Sequence, residues 1–119
     1  MPWELDSDRP IYAQIVDRLK HEIVSGFYPP GSRLPSVRDL AAQASVNPNT
    51  MQKAFTELER TGLIVTRRTS GRTVTEDTAL IEQVRSELAE LQISQFLTRM
   101  QHLGYQKDDS IRLLLAKKE

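Results

Sequence analysis

Between Leu34 and Leu63 the chain reads LPSVRDLAAQASVNPNTMQKAFTELERTGL. This stretch leaves room for two short helices, a tight turn and little else. Ser36 opens the first helix, and Ser36 with Asp39 forms a capping-box-like pair, a hydroxyl followed three residues on by a carboxylate. Val37, Leu40, Ala41 and Ala44 make its apolar face, and the two small alanines allow a close helix approach. Ser45 and Val46 form the turn, with Val46 directed inward. Asn47 is a good N-cap and Pro48 suits the first helical position. The second helix is predicted over Pro48–Thr61 and stops at Gly62. Met51, Ala54, Phe55 and Leu58 recur at i, i+3, i+4, i+7 and face a core. Asn49, Thr50, Gln52, Lys53 and Thr56 point elsewhere, and no acid precedes Glu57 on this helix.

The flanks complete the pattern. Ile11, Ile15, Val16, Leu19 and Ile23 keep helical spacing behind Pro10, and Gly26 follows the helix end. Pro29, Pro30 and Gly31 then force a loop, expected to bury Phe27 and Leu34. Leu63–Thr75 is rich in β-branched residues and splits around Thr69-Ser70-Gly71, predicting strands near 63–67 and 72–75. Trp3-Glu4-Leu5 is expected to add a third short strand. From Asp77 on, Leu80, Ile81, Val84, Leu88 and Leu91 mark a long amphipathic helix. Phe96, Leu97, Met100 and Leu103 continue it past a kink near Ile93-Ser94, and Gly104 ends it. Asp108 or Asp109 is expected to cap a last helix carrying Ile111, Leu113, Leu114 and Leu115. The fold class is mainly α with a small β-hairpin, in two parts, residues 1–75 and 76–119.

Composition narrows the function. The 119 residues are 39% hydrophobic and 27% charged, a soluble globular composition. No apolar run approaches the roughly 20 residues that span a bilayer, and the acidic, proline-broken N-terminus does not resemble a signal peptide. A cytoplasmic location without membrane contact is expected. Cysteine is absent, which removes thiolate metal sites and cysteine nucleophiles. His21 and His102 lack ligand-spaced neighbours, so no metal and no cofactor are expected. No phosphate loop, nucleophile elbow or paired-carboxylate site occurs, and the chain is not expected to be an enzyme. Net charge is zero, but residues 1–75 carry +2 and residues 76–119 carry −2. Arg60, Arg67, Arg68 and Arg72 fall in one run that holds no acid.

Two helices around a tight turn, followed by a basic hairpin, are the parts of a winged helix-turn-helix. The segments PIYAQIVDRLKHEIVSG, PPGSRLPSVRDLAAQASVNPNTMQKAFTELERTGLI and the short wing resemble the GntR family of bacterial transcription regulators over residues 10–75. The last 44 residues resemble the two-helix tail of its YtrA-type branch. The resemblance implies a DNA-binding head, a helical dimerisation tail and a palindromic operator. It further implies a repressor, with transporter genes as targets. By the same analogy Arg38 grips a phosphate, while Asn47, Asn49, Thr50 and Gln52 occupy the recognition-helix positions. Arg68 and Gly71 lie in a wing that enters the minor groove. The sequence departs from the family at the wing, where Thr69 and Thr73 stand for a glycine and an aromatic. It departs again at Pro48, which cannot donate a hydrogen bond and shifts base readout to Asn49 and Gln52.

The chemistry of these residues agrees with a duplex partner. Asn and Gln amides match adenine edges, and Thr50 suits a phosphate or a thymine methyl. Lys53, Arg67 and Arg72 would act on the backbone, with Ser70 beside them in the wing and Ser36 at a helix N-terminus that doubles as a phosphate contact. One head reading a few bases, each worth about 1–3 kcal/mol, falls short of operator-level specificity. A homodimer supplies two, through a stripe of Leu80, Ile81, Val84, Leu88, Leu91, Phe96, Met100 and Leu114. Two alternatives stand beside this reading. One is a winged-helix module for protein–protein contact. The other is a metabolite-responsive regulator with a ligand site at the dimer interface, its effector unknown.

Overall fold

The computed structural model describes residues 3–118. Five helices and one hairpin follow in the order α1 (Ile11–Val24), α2 (Val37–Ala44), α3 (Pro48–Thr61), β1 (Ile64–Arg67), β2 (Gly71–Val74), α4 (Thr78–His102) and α5 (Lys107–Ala116). They form two compact units, Met1–Arg85 and Ser86–Glu119.

In the first unit α1 and α2 both pack on α3. Ile15, Leu19 and Ile23 of α1, Leu40 and Ala41 of α2, and Met51, Ala54, Phe55 and Leu58 of α3 are all buried. The i, i+3, i+4, i+7 spacing of the α3 set produces this directly. Phe55 is fully enclosed, so truncating it to alanine costs about 3–5 kcal/mol. The caps behave as their residue types dictate. Ser36 Oγ accepts from the Asp39 N–H at 3.0 Å, and Asn47 Oδ1 accepts from the Asn49 N–H at 2.7 Å. Ser45 and Gly62 end α2 and α3 in the left-handed region, at φ 57° and 87°.

The hairpin pairs antiparallel with Ile64 opposite Val74 and Arg67 opposite Gly71. Arg68, Thr69 and Ser70 make a three-residue loop that returns through Gly71 at φ 73°. The third strand-like segment is not Trp3-Glu4-Leu5, which forms no strand. It is the loop before α2. There Leu34 N–H donates to Arg72 O at 2.9 Å, Val74 N–H to Ser32 O at 2.9 Å and Gly31 N–H to Val74 O at 3.0 Å, and Arg33 bridges Thr73. Proline and glycine prevent helix in that loop, and its free backbone groups pair with the exposed edge of β2 instead. Leu34 is buried as expected; Phe27 is not, at 68% exposed, with its ring edge-on to Tyr28.

The first two turns of α4 belong to the first unit. Ile81 is buried there, and Arg85 donates to the Val24 carbonyl at the end of α1 through both Nε (3.0 Å) and Nη2 (2.7 Å). Ile81 is therefore core, and Leu80 lies close to Gly62; Ile81 has no side-chain surface left for a second chain. In the second unit α4 continues through Ile93 and Ser94 as one helix and turns at Gly104, φ 98°. Gln106, not Asp108 or Asp109, is the N-cap of α5, and Asp109 completes the capping box by accepting from the Gln106 N–H at 2.8 Å. Glutamine can accept at this position as asparagine does, a substitution the cap preferences do not favour.

Candidate nucleic-acid interface

The exposed start of α3 is the centre of the candidate site. Asn47, Pro48, Asn49, Gln52, Lys53 and Thr56 are exposed and Thr50 is half-buried, while Met51, Ala54 and Phe55 between them are fully buried. A helix that spends its apolar stripe on a core must present the remainder to solvent, and here the remainder is amides, hydroxyls and one lysine. The backbone at this helix start is largely satisfied, since Pro48 carries no N–H and the Thr50 N–H donates to Asn47 O at 3.0 Å, so its side chains must make the polar contacts. Asn47 Oδ1 takes up the N–H of Asn49.

The cations around this face are not equivalent. Arg38, on the exposed side of α2, and Arg67 and Arg68, at the hairpin tip, form no ion pair among the described residues. Lys53 rests its ammonium 4.1 Å from the centre of the Tyr12 ring. Arg60 pairs with Glu57 at 2.7 Å, and Arg72 pairs with Glu59 at 3.0 Å. The acid-free run from Arg60 to Arg72 is thus half neutralised by α3 itself. Arg72, expected from the sequence to act on the DNA backbone, has a side chain 27% exposed and paired with the Glu59 carboxylate.

Glu59 sits at the join of α3 and the hairpin. Burial pushes its carboxyl up, but hydrogen bonds from the Thr66 hydroxyl and Arg72, and the charge of Arg72, together outweigh that and hold it below the ordinary value. The sequence reading missed one cation. Arg33, an exposed residue in the loop before α2, lies beside the hairpin, where a Cβ on Gly71 would be 3.8 Å from its Nε. Only the backbone pairing of that loop with β2 brings it there, and no local pattern signals such pairing. Ser36 and Ser70 are both exposed, Ser36 with its hydroxyl committed to the cap. A cleft of about 560 Å³ runs from Tyr28 through Arg33, Ser36 and Gly71 to Arg72.

No group of three or more potential metal ligands occurs among the described residues, and His21 and His102 are both exposed. No helix among them is long and apolar enough to cross a membrane.

Residues 11–74 match the family described as bacterial regulatory proteins, gntR family. The HTH-type transcriptional repressor YtrA of Bacillus subtilis is 40% identical over 100 residues, covering 82% of this chain and 76% of that protein. A GntR family transcriptional regulator from Listeria monocytogenes superposes with a TM-score of 0.85 at 40% identity, over 96% of this chain and 100% of that one. AraR(DBD), solved in complex with operator ORX1, superposes with a TM-score of 0.54 at 26% identity, over 63% of this chain and 92% of that one. The match runs through all three helices and the hairpin of the head, and the chain belongs to the gntR family of bacterial regulatory proteins, as a DNA-binding transcriptional regulator with a YtrA-like winged helix.

Proposed function

We propose that the protein is a repressor that binds a palindromic operator as a homodimer, each head placing the start of α3 in the major groove. The observation that carries this is the exposed polar face of Asn47, Asn49, Thr50 and Gln52 flanked by Arg38, Arg67 and Arg68, cations without ion pairs among the described residues. Asn49 and Gln52 read adenine edges. Arg38 and the hairpin arginines hold phosphates, contacts that supply affinity and register but no sequence information. Gly71 lets the hairpin return tightly, and Ser70 sits at its tip beside the backbone. Ser36 is foremost a cap, with its helix N-terminus near a phosphate.

Pairing of two chains through residues 86–119 is supported by what that unit leaves uncovered. Leu103, Leu114 and Leu115 are 73%, 56% and 82% exposed, and Leu91, Ile111 and Leu113 are also exposed. A ten-residue helix is marginal alone in water, so α5 requires an apolar partner to persist. The similarity to the repressor YtrA of Bacillus subtilis supports repression here. Transporter genes as targets follow from the branch resemblance alone.

The test is a titration with random-sequence duplex at low salt, then with the DNA upstream of the protein's own gene. Binding to both, tighter to an inverted repeat, is the expected result. Failure to bind any duplex at low ionic strength overturns the reading and leaves a protein-contact role for the same face.

A further inference from the structure

Both ends of the Gln52 amide are already engaged within the head. Its Nε2 donates to Thr56 Oγ1 at 3.2 Å, and its Oε1 accepts from Arg72 Nη2 at 3.4 Å. Arg72 is itself firmly held. Its Nε donates to Glu59 Oε1 at 3.0 Å, and its guanidinium carbon lies 5.3 Å from the centre of the buried Phe55 ring. Its backbone carbonyl is tied to the Leu34 N–H. A guanidinium with a carboxylate on one edge has little charge to offer a phosphate. Its rigid fork is suited to holding acceptors at fixed angles.

Resting on the reading of Gln52 as a base contact, we infer that Arg72 is a positioning residue that sets which way the Gln52 amide faces and so determines the base preference of α3. The amide carries two N–H donors and two acceptor sites on its oxygen. Thr56 takes one donor and Arg72 one acceptor site. One of each remains, the pair that complements adenine N7 and its amino group. An amide flipped by half a turn would present these in reverse order. Arg72 can only donate, so it forbids the flip: the NH₂ group would then face a cation with no acceptor to give. Twenty residues separate Arg72 from Gln52 in sequence, so the hairpin orients a reader on the helix.

The test compares duplexes selected from a random pool by the wild type, Arg72→Lys, Arg72→Ala, Gln52→Ala and the Arg72→Ala/Gln52→Ala double variant, with affinity measured across salt. The expected result has four parts. Arg72→Lys and Arg72→Ala relax discrimination by about tenfold, at the same position of each half-site that Gln52→Ala relaxes. Both keep the wild-type salt slope, and Arg72→Ala changes nothing further once Gln52 is gone. If Arg72→Ala loses its fold, Arg72→Lys carries the comparison, because it retains the charge and lacks only the fork. A uniform loss in Arg72→Ala, with a salt slope shallower by about one and restored by lysine, makes Arg72 a phosphate contact and overturns the inference while Gln52 stays the reader. Gln52→Ala with an unchanged preference instead overturns the base-contact reading, and the inference with it.

Discussion

Arginines adjacent in sequence divide into two kinds in space. Arg60 and Arg72 answer Glu57 and Glu59, and Arg38, Arg67 and Arg68 answer no acid among the described residues. Only the second kind has its whole charge available to phosphates. Replacing Arg38 with alanine is therefore expected to weaken binding to every duplex alike and to make the salt dependence shallower by about one. A filter-binding or anisotropy series between about 50 and 200 mM salt measures it, through the linear dependence of log affinity on log salt. Glu59 gives a prediction of a different sort. Its folded carboxyl lies below the ordinary 4.5, so near that value the unfolded chain binds more protons than the native one. The stability it contributes is complete above the ordinary range and disappears as pH falls through the depressed folded value. Glu59→Gln is expected to flatten the acid side of the stability–pH profile, read by urea midpoints from neutral pH downward. An acid limb with wild-type slope in the variant would show that another carboxylate sets it.

At the scale of elements, α2 and α3 follow closely from sequence, because cap, proline, periodicity and glycine all agree there. Gly62 shows how much one backbone position decides. It ends α3 at φ 87°, and a Cβ would lie 3.3 Å from Leu80 Cδ2. Gly62→Ala is expected to cost about 1–2 kcal/mol from the left-handed backbone alone. Thermal melting should then fall by several degrees, while affinity for DNA at low temperature is retained. An unchanged midpoint would mean that the α3–β1 junction relaxes freely. Most of what was not legible has one physical cause. The Arg33 bridge, the exposure of Phe27 and the burial of Ile81 all depend on residues distant in the chain. A pairing of the 31–34 loop with β2 leaves no local period, and hydrophobicity alone does not place Phe27. The same holds in the site. The exposed amides of α3 are readable as the complement of its apolar stripe, but the ion pair that withdraws Arg72 joins two elements thirteen residues apart. The cap of α5 failed for a local reason, since glutamine is not a favoured cap and two aspartates stood nearby.

On the scale of the whole molecule, α4 is where one helix serves two purposes. Its apolar residues do not form one stripe along its 25 residues. At about 100° per residue, Leu80, Ile81, Val84, Leu88 and Leu91 centre on one side, and Ile93, Phe96, Leu97 and Met100 on a side close to half a turn away. The single amphipathic face expected from the sequence is thus two, and the first is partly used by the head through Ile81. Val84, Leu88, Phe96 and Met100 are half-buried and Leu91 and Leu114 exposed, so the pairing proposed above draws on the residues beyond Ile81, with α5 the most exposed of them. Leu114, 56% exposed, can be changed without opening the core of the head. Leu114→Glu is expected to convert a two-chain species into a one-chain species in sedimentation at micromolar concentration. Tethering two heads multiplies affinity for paired half-sites by roughly 10²–10⁴ over one head, so the variant should lose a factor of that order on an inverted repeat. Its affinity for a single half-site should match the wild type, because α3 and the hairpin are untouched. Equal sedimentation of variant and wild type as one chain would remove the dimer. Equal loss on whole and half operators would instead place Leu114 in the stability of the head.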